Sequence, residues 1–155
     1  MRTDLIFVLP EIILLVMACA VLVIDAFSRD PLRKITYWFT QLSLILTLCA
    51  IFYYSPDYTY VAFNGGYITD NMSVLLKIFM CLITIIVFFY SYEYLKENEL
   101  LKGEYFVLGL FAVLGMMIMA SSYHLLSIYL GLELLSLSLY AMVAMQRNST
   151  FATEA

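Results

Sequence analysis

Five predominantly apolar runs, each about as long as a bilayer is thick, constrain this chain more than any other feature. A helix rising 1.5 Å per residue needs about 20 apolar residues to cross roughly 30 Å of hydrocarbon. Residues 5–27, 35–54, 72–92, 105–122 and 125–145 meet that length, and the first contains the unbroken apolar run 12–24. Turn and breaker residues separate them: Ser28-Arg29-Asp30-Pro31, Ser55-Pro56-Asp57, Asn64-Gly65-Gly66 and the polar stretch 93–104. No span shows the strict alternation of a transmembrane strand, which argues against a β-barrel. The sequence predicts an all-α integral membrane protein with five transmembrane helices, forming one transmembrane domain over residues 1–155.

Composition agrees. Hydrophobic residues make up 64% and charged residues 13% of the 155, against roughly 45–50% and about 25% in soluble domains. Eight basic against twelve acidic residues give a net charge of −4 and no basic patch, so nucleic acid is not an expected partner. Cys19, Cys49 and Cys81 are odd in number, lie inside apolar runs and lack metal-ligand spacing. A signal-peptide reading of the first span fails because its apolar stretch is too long and no small-residue cleavage site follows.

Orientation follows from the basic residues. Arg29, Arg33 and Lys34 precede the second span, Lys96 and Lys102 lie between the third and fourth, and Arg147 follows the fifth. These are alternate connections, so they share one side; only Arg2 opposes them. The N-terminus is expected outside and the C-terminus in the cytoplasm. Tyr37, Trp38, Tyr53, Tyr54, Tyr90, Tyr92, Tyr94 and Tyr105 cluster at span ends, as interface anchors do. In the outer loop, alternation over residues 58–69 around Asn64-Gly65-Gly66 predicts a short β-hairpin.

With so few charges, those inside spans carry the information. Glu133 is the ninth residue of the fifth span, roughly 12–13 Å along its axis. A charge at that depth costs about 2.5–3.5 kcal/mol on insertion scales. Either the carboxyl is protonated, or it faces a hydrated cavity and a cationic partner; both make it a group that takes and releases a proton. The bland alternative is a structural Glu hydrogen-bonded to a neighbouring helix. Tyr129, Ser136 and Tyr140 share its helix face. Lys77 lies about five residues inside the third span, with Asp70 two turns earlier as the expected N-cap; the spacing favours a structural pair of the two. Glu11 and Asp25 stand near the ends of the first span, where anchoring or inter-subunit contact is the default. His124 is expected in a turn, not in a proton relay, and the acidic and basic residues of 93–104 on a solvated face that touches partner proteins. Met116, Met117 and Met119 are expected to pack rather than bind copper. Nucleotide loops, GxSxG, CxxCH and HExxH are absent, so no nicotinamide, flavin or iron–sulfur cofactor is expected on this chain.

The block Gly131-Leu132-Glu133-Leu134-Leu135-Ser136 within 126–141 resembles the fifth helix of the subunit N type of antiporter-like membrane subunits in bacterial proton-pumping NADH-quinone oxidoreductase, respiratory complex I. Leu9-Pro10-Glu11-Ile12-Ile13-Leu14 is similar to that family's opening segment, Asp70 with Lys77 to the start of its third helix, and Thr153-Glu154-Ala155 to the lead into its sixth. The resemblance implies an N-terminal part of a subunit with about fourteen spans and two inverted repeats, unable to pump alone. It implies that Glu133 matches a glutamate paired with a seventh-helix lysine, and that this lysine falls beyond Ala155. It further implies a non-redox subunit of a translocase in the bacterial inner membrane, beside the antiporter-like subunit M and subunit K types. NADH, flavin, iron–sulfur clusters and quinone would all belong to other subunits. Two rival readings remain open from the residues: a subunit of a multi-subunit cation/proton antiporter, and a structural or assembly membrane protein. If the chain stands without further helices, Gly109, Ala112, Gly115 and Ala120 are expected to lack packing neighbours.

Overall fold

The computed structural model describes residues 2–27, 33–54, 59–97 and 102–145. Arg29, Arg147 and the 153–155 segment lie outside these, as does part of the acidic stretch. The described chain contains α1 (Arg2–Phe7), α2 (Leu9–Phe27), α3 (Lys34–Tyr54), β1 (Tyr60–Ala62), β2 (Tyr67–Thr69), α4 (Asn71–Glu97), α5 (Gly103–Ala120) and α6 (Leu125–Ala144). Five of the helices, α2 to α6, are long and apolar enough to cross a membrane.

The expected first span is broken. A turn at Val8 divides α1 from α2, and Pro10, which has no N–H to donate, sits in the first turn of α2 where that loss is harmless. The third span runs five residues further than its apolar pattern, to Glu97, so Glu93, Tyr94 and Lys96 are helical rather than loop. Asp70 caps α4 as expected: its carboxylate accepts from the Ser73 N–H at 2.8 Å, and Ser73 Oγ accepts from the Asp70 N–H at 3.0 Å.

The hairpin forms where the alternation places it. Tyr60 pairs with Thr69 and Ala62 with Tyr67, across a single 3₁₀ turn at Phe63–Gly65. Gly65 takes φ +91°, open to glycine and strained for other residues. The free edge of β2 is covered by the α5–α6 turn: the Ile68 N–H donates to the Ser121 carbonyl at 2.8 Å, and Tyr67 bridges Ser122. Phe7 stacks on Tyr60 with ring centres 4.3 Å apart. One end of the bundle therefore gathers α1, the hairpin and the α5–α6 turn. The other gathers Asp25, Arg33 and Lys102, whose Nζ donates to the Met145 carbonyl at 3.0 Å.

α5 is the central helix, packed on α2, α3, α4 and α6. Its small residues have neighbours after all. Gly109 lies against the Phe88 ring, and Gly115 so close to α6 that an added Cβ would stand 2.7 Å from the Gly131 carbonyl oxygen. α5 and α6 pack on each other, and α5 packs also on α2, α3 and α4, which is why the expected vacant stripe is covered. Leu14, Val21, Leu44, Phe106, Leu110 and Met117 are fully enclosed around this axis. α3 contributes a buried hydroxyl stripe: Thr40, Ser43 and Thr47 each donate to a carbonyl of their own helix at 2.7–2.8 Å. Folded onto the backbone in this way, the hydroxyls are satisfied without a partner helix and leave a slim face for close packing.

Some expected interface aromatics face outward from the bundle: Trp38, Tyr53, Tyr90 and Tyr94 are all well over half exposed. Tyr37 and Tyr92 do not. They stack on each other at 4.4 Å and join Phe106 in an internal ring cluster.

Candidate functional site

Glu133 stands at mid-height of α6, the least enclosed of the five long helices. Its own side chain is partly covered. α6 docks through one narrow stripe, of which Gly131 and Ser138 are the buried residues, two turns apart. Glu133 lies two positions from Gly131, off the seam with α5 and beside the open face carrying Leu130, Leu137 and Tyr140. Tyr129 lies one turn back on the same helix face, close enough for its hydroxyl and the Glu133 carboxylate to influence each other, and is itself exposed. Ser136 shares the face, but its hydroxyl donates to the Glu133 backbone carbonyl at 3.1 Å, not to the carboxylate. Tyr140 is 69% exposed and continues the stripe outward.

Lys77 and Asp70 do not form the expected pair. The Lys77 ammonium, 2% exposed as a residue, meets Glu11 Oε1 at 2.5 Å. Asp70 is committed to the backbone of its own first turn, which points its carboxylate along the cap instead of down the helix. Glu11 is likewise no headgroup anchor: it is 4% exposed. Tyr67 lies between the two. Lys77 Nζ donates to its hydroxyl at 2.8 Å, and that hydroxyl donates to Glu11 Oε1 at 2.9 Å or to the Phe7 carbonyl at 3.1 Å. Burial first, and then the Glu11 charge, hold the Tyr67 phenol above its ordinary range, so it stays a neutral donor. The sequence reading missed Glu11 as the partner. The available signal was depth: α2 and α4 start at the same end, and Glu11 is the third residue of one and Lys77 the seventh of the other.

At the opposite end Asp25 is also buried, where anchoring was expected. Thr36 Oγ1 donates to it at 2.8 Å and Arg33 Nη1 at 3.2 Å, and the carboxylate lies directly on Gly103. Gly103 opens α5, so the positive end of that helix faces the Asp25 charge. A side chain at 103 would displace it. His124 sits exposed in the α5–α6 turn, as expected. Among the described residues no three His, Cys, Asp or Glu side chains converge in a way that would hold a metal ion.

Known proteins resemble this chain over nearly its whole length. A scan against protein-family models finds no match. Over 153 residues the chain is 54% identical to NADH-quinone oxidoreductase subunit N of Thioalkalivibrio sulfidiphilus, covering 98% of this chain and 32% of that protein. It is 48% identical to the subunit N of Alkalilimnicola ehrlichii, over 98% of this chain and 31% of the relative, and 51% identical to that of Thiobacillus denitrificans, over 95% and 30%. The chain spans about a third of the length of the curated relatives it matches. Over nearly its whole length it is a homologue of NADH-quinone oxidoreductase subunit N.

Proposed function

We propose that this chain forms part of the membrane arm of a proton-pumping NADH-quinone oxidoreductase in a bacterial inner membrane. There it contributes to proton translocation coupled to electron transfer from NADH to quinone. The carrying observation is Glu133: an ionisable carboxyl at mid-height of a long apolar helix, in a chain whose matched relatives are named subunit N of that enzyme. A charge held there needs either a proton or a cation. Among the described residues no cationic side chain pairs with it, and the open flank of α6 leaves room for one from further spans of the subunit.

In this reading the chain performs no redox chemistry; NADH and quinone react on other subunits. Glu133 holds a proton when its cationic partner is withdrawn and releases it when the partner approaches, because an opposite charge within about 4–6 Å favours the ionised carboxylate. The two groups then titrate as a pair. Tyr129, one turn back on the same face, places a hydroxyl near the carboxylate. Neighbouring membrane subunits of the same complex transmit the signal that opens and closes the pair.

The test is Glu133→Gln and Glu133→Ala in the full-length subunit within its assembled complex. Proton pumping coupled to NADH oxidation is expected to fall at least about tenfold for both, with assembly intact on native gels. Near-normal pumping by an assembled complex carrying either change would overturn the role of Glu133.

A further inference from the structure

Elements other than α6 bring a second set of polar groups together at the hairpin end. Glu11 comes from α2, Thr69 with Tyr67 from β2, Lys77 from α4 and Ser121 from the end of α5. Glu11, Thr69, Lys77 and Ser121 are each more than nine-tenths buried. Thr69, Ser121 and Glu11 all neighbour the Tyr67 hydroxyl.

Counting donors and acceptors leaves a remainder. Tyr67 has one proton and two acceptors within reach, Glu11 Oε1 and the Phe7 carbonyl. Lys77 serves Glu11 Oε1 and the Tyr67 oxygen. Glu11 Oε2, Thr69 Oγ1 and Ser121 Oγ are buried and find no hydrogen-bond partner among the described residues. Three orphaned oxygens in one cluster would each cost on the order of 1–3 kcal/mol. A buried carboxylate oxygen beside two hydroxyls, which both donate and accept, is what a trapped water needs, since such waters make about three hydrogen bonds. A groove of about 390 Å³ opens alongside, walled mostly by apolar side chains such as Leu15, Phe63 and Ile118, with Glu11, Tyr67, Ser122 and Ser127 supplying its polar groups.

We propose that Glu11, Thr69 and Ser121 hold a buried water that joins the Glu11–Lys77 pair to this groove and so to the aqueous phase at the hairpin end. Glu11 is then a second protonatable station of the chain. A hydronium reaching the groove gives its proton to the held water and leaves as water. The held water passes a proton to Glu11 Oε2, giving a neutral carboxyl beside the Lys77 ammonium, and the return path reverses each step. The other titratable groups facing the cluster are Tyr67 from β2, Lys77 and Cys81 from α4, and His124, which approaches Gly66 from the α5–α6 turn. α5 contributes the Ser121 hydroxyl. None of this depends on Glu133.

The test is water-edited solid-state NMR on the whole chain in lipid vesicles, with carboxyl-labelled Glu and methyl-labelled Leu and the Glu11 signal identified by its loss in Glu11→Gln. Water magnetisation is expected to reach the Glu11 carboxyl within about threefold of the rate at exposed Glu97. The enclosed Leu14 methyls, one turn along the same helix, receive it far more slowly. Combining Ser121→Ala with Thr69→Val is expected to slow transfer to Glu11 at least about threefold while leaving Glu97 unchanged. A Glu11 carboxyl as dry as Leu14 overturns the proposal, and so does unchanged transfer in the Ser121/Thr69 variant. If Glu11→Gln fails to fold, the Ser121/Thr69 variant alone decides, with Glu11 assigned through its contact to labelled Lys77.

Discussion

Lys77 carries a full charge into a span, and its stability rests on one carboxylate. Desolvating two ions costs several kcal/mol each, recovered only when geometry and hydrogen bonding are good. Here Tyr67 supplies the extra hydrogen bonds, accepting from Lys77 and donating to Glu11. Removing either ion strands the other. Lys77→Met and Glu11→Gln are therefore each expected to lower stability by about 3–5 kcal/mol, read as the thermal midpoint in detergent. The double variant is expected to lose clearly less than the sum, because the two changes remove one shared interaction. Additive losses would show that the pair is not coupled. The pairing was not legible from spacing. Asp70 lies seven residues from Lys77, a correct helical repeat, yet capping claims its carboxylate; Glu11 lies 66 positions away in sequence, and only the gathering of α2 and α4 around α3 and α5 lets the two side chains meet.

Among the elements, α5 and α6 make the most extensive helix contact, and at Gly115 and Gly131 it brings backbone against backbone. An added Cβ at Gly115 would meet the Gly131 carbonyl at 2.7 Å and the Leu135 nitrogen at 2.9 Å, neither of which can rotate away. In lipid, where burying apolar surface drives nothing, such close van der Waals approach between small residues is what holds helices together. Gly115→Leu is expected to undock α6. A cysteine placed at Ser138, which is 5% exposed on the same docking stripe, should then react with a small thiol reagent at least about tenfold faster than in the Gly115 background. Gly115→Ala should fall between the two. Unchanged reactivity with leucine at 115 would mean that α6 is held by something else. The elements themselves were largely readable: apolar length gave the long helices, and alternation about Asn64-Gly65-Gly66 gave the hairpin. The stripe of Thr40, Ser43 and Thr47 shows in the sequence only as hydroxyls at the spacing of one helix face; that each is satisfied within its own helix is what the structure adds.

For the whole molecule, the two ends of the bundle differ in their basic residues, and this is expected to set its direction in the membrane. Arg33, Lys34, Lys96 and Lys102 lie at the end opposite the hairpin, where Arg33 meets the buried Asp25. The hairpin end holds the Glu11–Lys77 pair, neutral as a unit, with Asp70 and His124. Basic residues in short connections resist translocation, so the end with four of them is expected in the cytoplasm and the hairpin outside. Alkaline phosphatase, which folds only in an oxidising compartment, is expected to be active when fused within residues 55–58 and inactive when fused within 98–101 or after 145. A green fluorescent protein fusion should give the reverse pattern. Activity at 98–101 with none at 55–58 would invert the molecule. It would also place the Glu11 groove on the cytoplasmic side, so the same fusions decide which aqueous phase Glu11 trades protons with. Glu133, near mid-height on α6, keeps its depth in either orientation. A role for Glu133 in proton transfer therefore survives an inverted topology, while the side from which the proton enters does not.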